Sequence, residues 1–414
     1  MSTHNIGTFL PHCELRVTWN VYCTCSRKVS RSSSRQGAYK GALSSLRAHE
    51  IGSIVIKEAL IRAKVQPEEV SEVIMGQAVT AGQGQNPARQ ASVGAGIPVN
   101  VPAYLVNMLC GSGIKTVYLG TQSIMNLDSD IVVCGGQEVM SQGHHTIFMR
   151  QGTNGHQQLT DSVVHDVLTD AFVGVLMGNT AENVAKKYEI SRKDQDKFAA
   201  ECQQRVEHAQ KAGYFVKEIV PITVNSKKGS IVVDTDEPPR HGTTVEALQR
   251  LKPAFQKDGS GTVTAGNSST YGDAAAAVVL MGGDVVKSRG VSPIARVVAF
   301  SQVGVDPAYM GMGPVAAVTS ALKKAGWNKE DVDLFEFNEA FAAQSVAVVR
   351  ELDINPNKVN ICGGAIALGH PIAASGTRIL VTLLHALERT GGQRGVASLC
   401  VGGGMGVAMC VERC

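Results

Sequence analysis

Three residues stand where the local sequence could do chemistry: Cys110 in Asn107-Met108-Leu109-Cys110-Gly111-Ser112-Gly113, His370 in Gly363-Gly364-Ala365-Ile366-Ala367-Leu368-Gly369-His370-Pro371, and Cys400 at the head of Cys400-Val401-Gly402-Gly403-Gly404-Met405-Gly406. A helical run, Ile114 to Met125, follows the first of them, so Cys110 is expected on a strand-to-helix turn. A helix N-terminus offers free N–H groups and the positive end of its dipole. Both favour a thiolate and predict a thiol pKa lowered from roughly 8.5 toward neutrality. The adjacent glycines leave room for a substrate against the backbone. The same placement also suits a buried structural thiol, and the motif alone does not separate the two.

His370 precedes a second helical run, Ala374 to Arg389. An imidazole there can act as a base, as a donor to an oxyanion, or merely as a capping or core side chain. The glycines after Cys400 imitate a dinucleotide phosphate loop, which requires a following helix and further strands. Only eight residues remain after Gly406, and Val407 to Val411 reads as a strand. These glycines are expected instead to let the backbone crowd a reacting carbonyl.

The elements that must position these residues recur along the chain. Ala59-Leu60 through Pro67-Glu68-Glu69-Val70 to Ala78 aligns without a gap with Ala321-Leu322 through Lys329-Glu330-Asp331-Val332 to Ala340, each reading helix, turn, strand. A second echo pairs Ile131-Val132-Val133-Cys134-Gly135-Gly136 with Val396 to Gly403. Continuous apolar strands alternating with helices predict mostly parallel sheets covered on both faces, in two α/β halves. Between them, residues 140–271 are richer in charge and turns, with a polar helical stretch from Thr180 to Ala212 and no counterpart later. This segment reads as an insertion near the strand ends of the first half, placed to cover a large cofactor. The expected boundaries are 41–139 for the first half, completed by 272–292, then 140–271 for the insertion and 293–414 for the second half.

Residues 1–40 differ from the rest, with Arg16, Arg27, Lys28, Arg31 and Arg35 among serines. Their composition resembles that of a transit peptide, but Leu15 to Cys25 reads as strand rather than amphipathic helix, which favours a divergent, poorly ordered or mis-specified terminus. Elsewhere, 414 residues with 44% hydrophobic and 18% charged content give enough chain for two or three cores, and the 44 glycines against 5% aromatics suit an α/β enzyme. A net charge of +3 leaves no global basis for binding a polyanion. No apolar run approaches the roughly 18–20 residues of a membrane span. The ten cysteines follow no secreted disulfide pattern, and Cys23 and Cys25 lack the second pair that zinc would need.

Taken together, CGSG at Cys110, NEAFA at Asn338 to Ala342, GGAIALGHP at Gly363 to Pro371 and CVGGGMG at Cys400 to Gly406 resemble the thiolase family, in the family's order and approximate spacing. The resemblance runs from about Gly37 to Cys414. It is closest in appearance to the acetoacetyl-CoA thiolases of the cytosolic type. It implies two fused halves, each a mixed sheet between helices, in a five-layer αβαβα body with a loop domain that binds coenzyme A. It implies condensation of two acetyl-CoA to acetoacetyl-CoA and CoA, or the reverse thiolysis, in a cytoplasmic tetramer with no tightly bound cofactor and no metal. If the basic N-terminus is a leader, the compartment is mitochondrial.

Carried over residue by residue, the resemblance implies Cys110 as the nucleophile that accepts the acetyl group, His370 as its base, and Cys400 as the acid/base at the α-carbon. It also implies Asn338, holding a water, beside His370 as enolate donors, and the N–H groups of Cys110 and Gly402 as the oxyanion hole. Arg240 would lie near the adenine of coenzyme A, with Ser269, Met177, Ala340 and Phe341 along the pantetheine. The chain departs from the family pattern at several positions. The first strand with its ARTPxG turn, normally central in the first sheet, is not recognisable. Leu176 stands where relatives carry a His facing the thioester. SGxNDGA reads Ser269-Thr270-Tyr271-Gly272-Asp273-Ala274, and Ala373 replaces the glycine of HPxGASG. These changes would be costly wherever the glycine had positive φ. They motivate a second reading, a thiolase-fold protein with little turnover that acts in binding or association. A ketoacyl synthase is disfavoured because Cys400 stands where that family needs a His, and nucleic-acid binding lacks a reading motif.

Overall fold

Side chains on successive strand residues point to opposite faces, so a strand apolar at every position must be covered twice. That requirement organises this protein, a computed structural model of which describes residues 20–22, 40–150, 152, 154–226 and 229–414. The principal strands are β1 (Asn20–Tyr22), β2 (Glu72–Gly76), β3 (Ala103–Val106), β4 (Ile131–Val139), β5 (Asp273–Met281), β6 (Ala295–Gly304), β7 (Leu334–Phe337), β8 (Arg394–Val401) and β9 (Met405–Arg413). They pair in the order β7-β8-β9-β6-β1-β5-β4-β2-β3. In the first half β3, β2 and β4 are parallel and β5 is antiparallel. In the second β7 and β8 are parallel, followed by antiparallel β9 and β6.

The helices that matter for the site are α1 (Ala48–Ala63), α2 (Pro87–Gly94), α3 (Ser112–Met125), α4 (Met177–Lys187), α5 (Arg192–Lys211), α6 (Gly313–Ala325), α7 (Ala342–Glu351) and α8 (Ser375–Thr390). Helix α1 buries Ile51, Val55, Ala59 and Ala63 along one stripe, and its first turn is closed by the Glu50 carboxylate accepting from the Arg47 N–H at 2.7 Å. This stripe packs with Val73, Val133 and Ala277 on the outer face of the first half. The opposite faces of the same strands, through Ile74, Val132 and Val278, share one core with Ile114 and Val117 of α3, Ile379 and Leu383 of α8, and Leu399 and Val407 of the second half. Helix α6 covers the far side, with Ala317, Val318 and Ala321 against Val396, Ala408 and Cys410. The layers are thus helix, sheet, the α3/α8 pair, sheet, helix. Each fully buried Ile, Leu or Val in these layers is worth about 1.5–3 kcal/mol.

The repeat read from sequence is structural. Short 3₁₀ turns at Pro67–Glu69 and Lys329–Asp331 precede β2 and β7 at the aligned positions. Among the described residues, the counterpart of β3 in the second half is reduced to a bridge between Phe335 and Val359. The ladders shift the second echo, because Val133 pairs with Val73 and Val396 with the equivalent Phe335. Cys400 therefore corresponds to Gln137, not to Cys134.

The fold makes two of these readings more specific. Strand β1 is not central in the first half. Val21 pairs with Leu280 on β5 and with Ala295 on β6, so β1 lies at the boundary and joins both halves in one hydrogen-bonded order. It falls within the segment Leu15 to Cys25 that reads as strand, while the rest of residues 1–39 lies outside the described residues. The polar stretch from Thr180 to Ala212 is two helices, separated by Glu189 at φ 53 and by the Ser191 cap, whose hydroxyl accepts from the Asp194 N–H at 3.1 Å. No helix among the described residues is long and apolar enough to cross a membrane.

Candidate active site

Cys110 occupies a 3₁₀ turn, Leu109–Gly111, immediately before α3. The turn is strapped by short-range bonds: Asn107 Oδ1 accepts from the Leu109 N–H at 3.0 Å, and Ser112 Oγ accepts from the Met108 N–H at 2.8 Å while donating to the Leu109 carbonyl at 2.7 Å. These bonds hold Leu109 at φ 46, in the left-handed region that a non-glycine residue occupies at a cost of about 1–3 kcal/mol. Strain therefore sits next to the thiol. A Cβ on Gly111 would lie 2.9 Å from Val401, so the glycine permits the turn to approach the end of β8.

His370 is reached through Gly369, whose φ of 85 requires glycine. Its N–H donates to the Thr270 carbonyl at 2.8 Å, which fixes the loop against Tyr271. The ring lies between two partners, with Nε2 3.1 Å from Cys110 Sγ and Nδ1 2.6 Å from Ser375 Oγ. For Nε2 to take the thiol proton, Nδ1 must carry hydrogen and donate to Ser375, whose Oγ can accept it. Asn338 Nδ2 is 3.4 Å from the same Nε2. Asn338 is itself fully buried and held by its N–H on the Ser398 carbonyl at 2.9 Å. The next residue, Glu339, accepts from Asn360 Nδ2 at 2.7 Å, the Ile366 N–H at 3.2 Å and the Cys202 thiol at 3.0 Å. Those bonds tie β7, the glycine loop and α5 together behind the cavity.

The expectation of a depressed thiol pKa is overturned. Burial pushes Cys110 up to about 12, outweighing the N–H of Gly402, which donates to the sulfur and lowers it. Helix dipoles act within about one turn and are weak beside desolvation. Burial likewise pushes His370 down to about 3, helped by Arg378, and raises Cys400 well above its ordinary range. The resting site is a set of neutral hydrogen-bonded groups, and charge has to be created as substrate reacts. The linkage follows directly: a His whose folded pKa lies below its unfolded value of 6.5 stabilises the fold in its neutral form, and stability falls as pH drops from 6.5 toward 3. His370→Asn should therefore flatten the decline of the thermal midpoint between pH 6.5 and 4.5, and the His370 ring should not titrate by NMR between pH 5 and 8. Titration near 6.5 would contradict the burial argument.

Cys110, His370, Cys400 and Gly402 line one cavity of about 140 Å³, together with Met177, Ser269, Ala340 and Phe341. Asn338 stands just behind it. Cys400 packs with Met177, Ala340 and Phe341 in a single apolar cluster. Ser269 is positioned by its N–H on the Ala340 carbonyl at 3.0 Å. Arg240 is not brought to this cavity: it is exposed, with its N–H on Gln203 Oε1 at 2.8 Å. Leu176 lines the mouth and is 41% exposed. The substituted positions Thr270, Ala274 and Ala373 all have negative φ, so the feared backbone strain does not arise. Sequence reading missed Ser375, Glu138 and the cavity walls Phe255, Met310 and Tyr271. Ser375 had a signal, five residues beyond His370 at the start of a helix, whereas Phe255 arrives from a loop and Met310 from the 3₁₀ turn Pro307–Met312, neither within a motif.

Comparison with known proteins concerns the chain as a whole. The N-terminal domain of thiolase matches residues 29–284 and the C-terminal domain of thiolase matches residues 291–413. The cytosolic acetyl-CoA acetyltransferase of Mus musculus is 60% identical over 386 residues, covering 93% of this chain and 97% of that one. The acetyl-CoA acetyltransferase of Paracoccus denitrificans is 51% identical over 93% of this chain and 98% of its own. Among solved structures, human mitochondrial 3-ketoacyl-CoA thiolase superposes with a TM-score of 0.91 at 42% identity, covering 96% of this chain and 99% of that chain. Both domains are matched in order and relatives align nearly end to end, so the chain belongs to the thiolase family.

Proposed function

We propose that this chain is an acetyl-CoA C-acetyltransferase, joining two acetyl-CoA into acetoacetyl-CoA and CoA or running the reverse thiolysis through an acetyl-Cys110 intermediate. The observation that carries the reading is the 3.1 Å contact between Cys110 Sγ and His370 Nε2 in a cavity shared with Cys400. Proton accounting gives each group a task. The Cys110 proton passes to His370 as sulfur attacks the thioester, and the oxyanion is held by the N–H groups of Cys110 and Gly402. The departing CoA thiolate takes the proton of Cys400. The Cys400 thiolate then removes the α-proton of a second acetyl-CoA, and the enolate oxygen is held by His370 and by a water on Asn338. The enolate carbon attacks the acetyl-enzyme, and the Cys110 thiolate recovers its proton from His370. No other cofactor is needed for this balance.

The substrates follow from the same reading: acetyl-CoA, acetoacetyl-CoA and CoA. Ser269, Met177, Ala340 and Phe341 would flank the pantetheine, Arg240 would lie near the adenine, and residues 140–271 would act as the loop domain over them. A solved relative, human mitochondrial 3-ketoacyl-CoA thiolase, was determined with CoA. The cytoplasm is the proposed compartment, as the names of the mouse and rat relatives indicate for those proteins. A homotetramer is proposed, supported by the exposed apolar side chains Phe148, Met149 and Leu159. The negative φ at Thr270, Ala274 and Ala373 removes one ground for the low-turnover alternative, whose other grounds are the divergent N-terminus and Leu176. Mass spectrometry of the products from purified protein and acetyl-CoA tests the activity, and absence of acetoacetyl-CoA would reject it.

Leu176 supplies a further test. It cannot donate to the thioester oxygen, so that oxygen lacks a partner worth about 1–3 kcal/mol, or roughly one to two decades in rate constant. Being partly exposed, it contributes little to the core. Leu176→His is expected to raise the condensation rate about tenfold or more with little change in thermal midpoint. Steady-state rates that stay flat or fall in the folded variant would reject this account of the mouth.

A further inference from the structure

Glu138 is a fully buried acid at the end of β4, and acetyl transfer as described above gives it no task. Its two oxygens accept backbone bonds from two halves of the molecule. Oε2 takes the Ala78 N–H at 3.0 Å and the Ala373 N–H at 3.2 Å, and Oε1 takes the Val79 N–H at 3.0 Å. Ala78 and Val79 follow β2 in the first half, while Ala373 lies in the 3₁₀ turn Ile372–Ala374 of the second. That turn separates His370 from Ser375, the residue that holds its Nδ1. The turn also presses on the Cys110 side: a Cβ on Gly113 would meet the Ala373 carbonyl at 2.8 Å, and one on Gly136 at 2.2 Å. In the register of the second half the equivalent of Glu138 is Val401, so the acid is not a feature of the repeat.

We propose that Glu138 is a positioning residue for acetyl transfer: its carboxylate locks the Ile372–Ala374 turn of the second half onto the first half and so fixes His370 opposite Cys110. The inference rests on reading Cys110 and His370 as nucleophile and base. The ionised acid has a second consequence. Burial is the main cause that raises the Cys110 thiol, and the Glu138 charge adds to it by opposing loss of the thiol proton. Burial, and Asp273 on neighbouring β5, push Glu138 itself up to about 7 against the three N–H donors.

The test uses the full-length protein, with Glu138→Gln and Glu138→Asp. Glutamine keeps the volume but removes the charge and one acceptor, so kcat for condensation should fall about ten- to a hundredfold through misalignment while KM for acetyl-CoA stays within about twofold. Aspartate, retaining the charge, should recover part of the loss. Alkylation of Cys110 by iodoacetamide, followed by peptide mass spectrometry, reads the charge effect separately. Glu138→Gln should react several-fold faster than the parent above pH 7, with the difference vanishing below it. In the parent alone, the rise of the alkylation rate with pH should slacken around pH 7, where Glu138 ionises, a readout that needs no variant. A merely structural acid would lower activity without moving these profiles. Undiminished kcat in folded Glu138→Gln, or a parent profile that rises evenly through pH 7, overturns the proposal. A parent that forms no acetoacetyl-CoA would reject the assigned activity instead, and the alkylation result would stand independently of it.

Discussion

Cys110→Ser is expected to abolish turnover and to remove the acetylated intermediate that the parent forms with acetyl-CoA. The argument is one of acidity and geometry. Burial already holds the Cys110 thiol up at about 12, and His370, pushed down to about 3, is a weak base at rest. In the proposed mechanism attack succeeds because sulfur is nucleophilic and polarisable and because proton transfer to Nε2 spans only 3.1 Å. A serine hydroxyl in the same place keeps the hydrogen bond but is a far weaker acid and a far poorer nucleophile. Loss of the nucleophile in a coupled site costs about 10⁴-fold or more in kcat. Because serine is nearly isosteric and Cys110 lies on a cavity wall, the thermal midpoint should move little. Intact-protein mass spectrometry after mixing with acetyl-CoA decides the matter, and an acetylated Cys110→Ser protein turning over like the parent would remove Cys110 from the mechanism.

The sequence carried the motif-bearing parts of this site because each lies at the end of a strongly patterned element. Cys110 precedes a helix with regular apolar spacing, Cys400 closes an apolar strand, and the helix–turn–strand repeat exposes the halves that hold them. What could not be read depends on contacts between segments far apart in the chain. The acidity of Cys110 is set by the walls that bury it, so a local argument from the helix N-terminus chose the wrong sign. The register that equates Cys400 with Gln137 depends on strand pairing, and resemblance of local strings misaligned it with Cys134. Glu138, just past the strand read from Ile131 to Gly136, carried no motif, since its partners at Ala78, Val79 and Ala373 meet only in the fold. The substituted glycine positions raised doubts that only backbone angles could answer, and those angles are negative.

Cys400→Ser separates the two half-reactions, and the separation is the expected result. A CoA thiolate is a good leaving group even without a proton donor, so acetyl-Cys110 should still form at a rate within about tenfold of the parent. The α-carbon of acetyl-CoA is a different problem, because its proton is removed only by a strong base held against it. Cys400 meets that requirement: burial and the neighbouring Cys110 raise its pKa, which makes its thiolate strongly basic, and the cluster of Met177, Met310, Ala340 and Phe341 keeps water from competing. Serine in this apolar setting has no accessible alkoxide. General-base contributions of this kind amount to about 10²–10⁴-fold, so condensation should fall by that factor while the acetyl-enzyme accumulates. Thiolysis of acetoacetyl-CoA should fall in parallel, since in the proposed mechanism the same thiol protonates the departing enolate. Rapid-quench measurement of acetyl-enzyme formation beside acetoacetyl-CoA release reads both steps in one experiment. Equal losses in the two steps would mean that Cys400 supports the pocket as a whole and has no distinct task at the α-carbon.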